Sequence, residues 1–286
     1  MNDRAWEYIK REAKLVSLPD VYFRLKDILD DPDFAMAEVA VAISQDPSIT
    51  LRLLRIVNSS FYGFANKIET VSRAVSMLGT QQVHDLVLAT SVAKAFEGMS
   101  SEIMDMHRFW RRSIYCAVAS RQLASLYGGC DKERVFVAGI LHDIGHLIMY
   151  LALPSLAEQA ILTAKENNNS LYLVERSLFG FDYAWAGSEL MREWSIPESL
   201  CEITMHHVEP AKAEKAQFET AVIHLSSLLT KANDGEGLFN EGPLTVDTVS
   251  WDITRISPED CVALAEQIEE EALEILNLFF PQSQSA

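Results

Sequence analysis

The chain's sharpest chemical feature is an adjacent pair, His142–Asp143, inside the apolar run VFVAGILHDIGHLIMYLAL at positions 135–153. An imidazole and a carboxylate in such surroundings are costly unless each finds a partner. One reading is a structural pair hydrogen-bonded across a helical bundle. The other is a pair of metal ligands, whose nitrogen and oxygen donors suit Mn, Fe, Mg or Zn. His146 follows one helical turn after His142, and histidines at that spacing share a face and bind ions such as Zn or Ni. His206–His207 is a second doublet, on the otherwise apolar stretch ESLCEITMHHV; His84, His107 and His224 stand singly. The chain holds no GxGxxG, P-loop or GxSxG signature, so phosphate cradles and serine nucleophile elbows have no sequence support.

These groups sit among helical signals that recur almost from end to end. Asp33 precedes FAMAEVAVAISQ, which sets Ala37, Val41 and the Ala40/Ile43 pair at helical spacing. Asp46–Pro47 starts a helix carrying Ile49, Leu53, Ile56 and Val57 on one side. TVSRAVSMLG stops at Gly79, with Thr80 as expected cap of the next helix. MHRFWRRSIYCAVASRQLASLYGG reads as one long helix, and the HDIGH run as another. Helices opened by Pro154 and Pro197 follow, then ETAVIHLSSLLTKAN. Residues 235–251 read as a linker holding a short strand or covering the core. Beyond it Ser257, Pro258 and Asp260 form a capping box, opening a helix whose inner face is Val262, Ala265, Ile268, Ala272, Ile275 and Phe279. The terminal PQSQSA is expected to fray. The methionines, Met36 and Met77 included, and the tryptophans read as core filling. The fold class expected is all-α.

Composition narrows the function classes. Twelve Gly and nine Pro in 286 residues, about 7% against roughly 12% in average proteins, argue against a turn-rich sandwich, a barrel or a disordered chain. With 24 Lys and Arg against 41 Asp and Glu, the net charge is −17. That charge opposes nucleic-acid backbones and anionic membranes as partners, and the small cluster Arg108, Arg111, Arg112 does not offset it. An ionised Asp143 at a bilayer centre would cost about 2.5–3.5 kcal/mol, so the apolar run reads as the buried middle of a soluble bundle. Cys116, Cys130, Cys201 and Cys261 form no CxxC pair and read as reduced, buried thiols of a cytoplasmic chain.

An ordered series of words spread over residues 15–230 adds a family resemblance. LVSLPDVYFRLKDILDDPD, SQDPSITLRLLRIVNSSFYGF and IETVSRAVSMLGTQQVHDLVLA come first. FWRRSIYCAVAS, VFVAGILHDIGHLIM, GFDYAWAGSELMREWSIPESLCEITMHHVEP and AVIHLSSLLTKA follow. The series resembles the HDOD family, a divergent branch of the HD superfamily of metal-dependent phosphohydrolases. Catalytic HD enzymes hold metal with a spaced His … His-Asp … Asp set that activates water against a phosphoester. The doublet is present as His142 and Asp143. Arg112, in Trp110-Arg111-Arg112-Ser113, stands where the first His would be, and Ser227, in IHLSS, where the last Asp would be. His206 and His207 match the paired His of the HD-GYP phosphodiesterases. Tyr183, however, replaces the His expected after GFD, and no Gly-Tyr-Pro occurs. Arg112 cannot ligate a metal, since its guanidinium stays protonated and has no acceptor.

The resemblance implies a stand-alone bacterial HDOD protein: an N-terminal helical lobe over 1–97, an HD-like lobe over 98–235, and a linker and helix over 236–286 packing back as a cap. It also implies signalling by binding a small ligand or protein, through a pocket of Arg112, His142, Asp143, Tyr183, His206, His207 and Ser227 that lacks catalysis. No cofactor and no metal are expected, with His142, Asp143, His146 and His206 the residual ligands if any ion binds. Arg112 is expected to supply Asp143 with the charge the metal once gave. The rival readings are a phosphohydrolase acting on a nucleotide or cyclic dinucleotide, and a pure interaction scaffold.

Overall fold

A computed structural model describes residues 7, 9–12, 16–99, 104–128, 130–233 and 246–280. The described residues are helical with no strand, so the chain is all-α. They divide into two compact units, Ser17–Gly98 with Glu269–Ala286, and Met1–Val16 with Met99–Ile268.

In the smaller unit, α1 (Asp20–Asp30), α2 (Met36–Ser44), α3 (Pro47–Val57), α4 (Val71–Leu78) and α5 (Thr80–Ala95) surround Leu25, Ile43, Ile49, Leu53, Val75 and Leu86, all fully buried. Asp46 accepts the Ser48 and Ile49 amides at 3.0 and 3.1 Å and the Lys94 ammonium at 2.9 Å. One carboxylate thereby caps α3 and ties it to α5. Asn58 clamps the following loop, accepting the Ile68 amide and donating to the Ile68 carbonyl, both at 2.7 Å.

The larger unit is built from α6 (Met106–Tyr127), α7 (Lys132–Leu141), α8 (Ile144–Ala152), α9 (Pro154–Glu166), α10 (Leu171–Phe179), α11 (Tyr183–Glu193), α12 (Glu198–His206), α13 (Gln217–Asn233) and α14 (Val249–Thr254). The C-terminal helix α15 (Pro258–Phe279) contributes its first part to this unit and its second to the other. Asp105 and Asp131 cap α6 and α7. At Gly139 an added Cβ would lie 2.4 Å from the Ala117 Cα, and at Gly145 it would lie 1.8 Å from the Tyr183 carbonyl oxygen. Bare backbone therefore meets backbone where α7 crosses α6 and where α8 crosses α11.

The structure corrects several expectations. The HDIGH run is two helices, not one, broken at His142–Asp143. The His142 ring takes the Gly139 carbonyl, the acceptor a continuous helix would give to the Asp143 amide. Thr80 is the first residue of α5, because Gly79, at φ +87°, fills the cap position. Val41 and Val262 are 60% and 76% exposed. On α2 the inward residues are Val39, Ala40, Ala42 and Ile43, and on α15 Cys261 precedes Ile268, Ala272, Ile275 and Phe279 on the inner side. Met36 and Met77 are exposed for the same reason, lying on outer faces, and Cys130 is only half-buried. Of the linker, 249–251 belongs to α14 and 235–245 lies outside the described residues, as does PQSQSA. The Ser257–Asp260 capping box forms, with the Asp260 amide 3.2 Å from the Ser257 hydroxyl and the Ser257 amide 2.8 Å from the Asp260 carboxylate. By length and composition, Lys132–Ala152 could cross a membrane, and its most apolar window is 89% buried within the fold.

Candidate functional site

The α7–α8 break puts Asp143 at the centre of a buried polar cluster. His142 donates from Nδ1 to the Gly139 carbonyl at 2.7 Å. A carbonyl only accepts, so this bond fixes the proton on Nδ1 and turns Nε2 toward Asp143 Oδ2 at 3.2 Å. His207, at the end of α12, repeats the arrangement. Its Nδ1 donates to the Thr204 carbonyl at 2.7 Å, and its Nε2 lies 3.7 Å from Asp143 Oδ1. The two imidazoles meet edge to face, with ring centres 5.2 Å apart. Arg112, from α6, brings its Nε within 3.5 Å of Asp143 Oδ2. These are ion-pair approaches rather than aligned hydrogen bonds, since the Asp143 oxygens meet no donor in hydrogen-bond geometry.

The cluster is closed to solvent: Arg112 is 4%, Asp143 1%, and His142 0% exposed. Burial disfavours a charged imidazole, but the Asp143 carboxylate outweighs it and pushes His142 up to about 10. Burial likewise opposes ionisation of Asp143, yet His142 and Arg112 hold it well below the usual carboxylate range. His207, desolvated and facing the His142 cation, is driven well below the usual histidine value. The result is Arg112⁺, His142⁺, Asp143⁻ and neutral His207.

The remaining expected residues divide. His146 stacks on Tyr183 with ring centres 3.8 Å apart, and Tyr183 lies 5.5 Å from the His207 ring, so both line the cluster. His206 is half-buried; desolvation lowers its pKa, and Glu202, Lys212 and Glu209 are the charges it feels. It sits apart from the ion pairs of Asp143. Ser227 is buried on α13, its hydroxyl without a hydrogen-bond partner. His224, on the same helix, donates from Nδ1 to the His207 carbonyl at 2.8 Å and accepts the Asp247 amide on Nε2 at 3.0 Å. Burial lowers its pKa, in keeping with a neutral ring between acceptor and donor. Sequence reasoning did not single out this relay. It also missed Gly139, Gly145 and Gly187, although isolated glycines inside helical patterns are a signal of close backbone approach.

The residues do not fit the metal of the HD superfamily. Among the described residues no three His, Cys, Asp or Glu side chains are arranged to hold an ion. A guanidinium also stands at the carboxylate that would have to ligate it, and like charges repel.

The HDOD domain profile matches residues 15–210. The chain belongs to the HDOD family. A candidate phosphohydrolase from Shewanella amazonensis SB2B is similar in structure, with TM-score 0.73 and 25% identity over 95% of this chain and 97% of its own. A candidate signal transduction protein from Marinobacter aquaeolei VT8 has TM-score 0.71 and 19% identity; the match covers 97% of this HDOD chain and 65% of that protein. An uncharacterized protein of Treponema pallidum (strain Nichols) is 21% identical over 230 residues. That match takes in 79% of this chain and 44% of the relative's length, so the HDOD chain spans under half of the curated relative it matches.

Proposed function

We propose that this HDOD protein is a regulatory protein that works by binding, with its HD-type centre converted into a buried structural ion-pair cluster. The observation that carries the reading is the Arg112 guanidinium 3.5 Å from Asp143 in a site shut off from solvent. A hydrolytic metal centre needs about three protein ligands and an open position for water. Here a protein cation supplies the charge, and burial leaves no open position at Asp143. The likeness to a candidate signal transduction protein agrees in class with such a role.

A phosphohydrolase is the second reading. It draws on the Shewanella relative and on the way His142 and His207 are held. Each has Nδ1 fixed by a backbone carbonyl and Nε2 turned toward Asp143, the outer-shell arrangement metal-binding histidines use. Metal content of protein purified without chelator or His-tag, followed by phosphate release from nucleotides and cyclic dinucleotides with Mn, Fe or Mg, decides between them. The binding reading expects sub-stoichiometric metal and no turnover. Stoichiometric metal with phosphate release lost in Asp143→Ala would overturn it.

A further inference from the structure

Helix α2 reads MAEVAVAIS, with only Glu38 and Ser44 polar. A helix apolar nearly all round belongs in a core, yet α2 is covered on one side only. Val39 and Ile43 are fully buried, while Met36 is 50% and Val41 60% exposed. Between α1 and α2 lies a cleft of about 630 Å³, whose apolar lining includes Ile28, Phe34 and Val41 and whose carboxylates are Asp27, Asp31 and Glu38. Two of these carboxylates are anchored: Asp31 accepts the Asp33 amide and Glu38 the Ala35 amide, each at 2.9 Å. Arg24, the cation in the lining, is engaged by Gln45. Nearby Lys26 pairs with Asp30, leaving the three carboxylates without a Lys or Arg among the ion pairs described.

We propose that the α1–α2 cleft is a docking site for a short basic amphipathic helix of a partner protein. An apolar trough between two helices accepts the i, i+3, i+4 and i+7 side chains of a third. Helices of 11 and 9 residues give a trough about 13–16 Å long, enough for two to three turns of ligand. The carboxylates select the charge, because Lys or Arg flanking the apolar stripe would meet them at the rim. A second copy of this chain is a poor occupant, since each carries a net charge of −17. The cleft lies wholly in the smaller unit, so the proposal stands independently of the reading of the Asp143 cluster.

The test uses the full chain and two synthetic helices. One has Leu at i, i+3, i+4 and i+7 with Lys flanks; its twin has Glu in place of each Lys. Methyl and amide NMR spectra should shift at Ile28, Ala37 and Val41 with the Lys peptide and stay still with the Glu peptide. Val41→Ser removes apolar contact and should weaken binding roughly tenfold. The double change Asp27→Lys with Asp31→Lys should weaken it at least as much. Both variants alter exposed positions, and circular dichroism should show them folded. Four outcomes would overturn the proposal: no binding of the Lys peptide, equal binding of both peptides, shifts away from the cleft that Val41→Ser leaves unchanged, or self-association that Val41→Ser abolishes. The last would assign the cleft to a second copy.

Discussion

Replacing Asp143 with Asn keeps the side chain's shape and removes the charge that holds three cationic or ionisable groups together. In the native cluster Arg112 Nε is 3.5 Å and His142 Nε2 3.2 Å from Oδ2. Two unit charges at that separation attract by about 5 kcal/mol at an effective dielectric constant near 20, before desolvation is subtracted. After the substitution His142 sheds its proton and limits its own cost, but Arg112 cannot. It remains charged and buried, and it loses the Asp143 carboxylate. Breaking a buried pair from one side costs about 3–5 kcal/mol. With a urea dependence of about 2–3 kcal/mol/M, the midpoint should fall by roughly 1.5 M. Tryptophan fluorescence is a suitable probe, because Trp110, Trp185, Trp194 and Trp251 lie in the unit holding the cluster. The companion variant, Arg112→Met with Asp143→Leu, replaces the pair by apolar groups and should stay within about 1 kcal/mol of the native protein or exceed it. A loss under 1 kcal/mol for Asp143→Asn, or equal losses for the single and double variants, would refute the account.

The same cluster sets a pH dependence. His142, raised to about 10, contributes stability that is complete below its unfolded value near 6.5 and lost as pH rises through about 10. His207 and His224 are lowered, so their contribution is present above about 6.5 and lost as pH falls through their folded values. Stability against urea should therefore peak near neutrality, and Asp143→Asn should flatten the alkaline limb. Gly145→Ala would drive a methyl into the Tyr183 carbonyl and should cost several kcal/mol or prevent folding, visible as lost soluble expression or a large fall in Tm. His224→Phe removes the acceptor of the Asp247 amide, at a cost of about 1–3 kcal/mol. Hydrogen exchange at that amide should quicken well before global unfolding.

What the sequence made legible follows from how local each determinant is. Caps and stops such as Asp46–Pro47, Gly79 and Ser257–Asp260 are written within a few residues, and each forms where the residues say. The inner faces of α2 and α15 were less legible, because apolar residues on both sides leave the period without a unique phase. Val41 and Val262 are the result. The break at His142–Asp143 was hidden because the residues around it are uniformly apolar, and it depends on one side chain taking the Gly139 carbonyl. Arg112 was found by aligning words with a family pattern; nothing in its own neighbourhood marks it as facing Asp143. His206 shows the converse limit. It shares a doublet with His207, but adjacent residues at a helix end point apart, and only His207 reaches the cluster.

The glycine crossings have a consequence for how such a site changes over time. Where α7 meets Ala117 and α8 meets Tyr183 through bare backbone, the closest approach of the helices is set by main-chain atoms. Position and chemistry are thus stored separately: the glycines hold the frame, and residue 112 decides which charge occupies it. Substitutions at 112 alter the charge that meets Asp143, whereas a side chain at 139 or 145 collides with the backbone of the frame itself. A lineage can therefore change the charge beside Asp143 and keep the architecture intact.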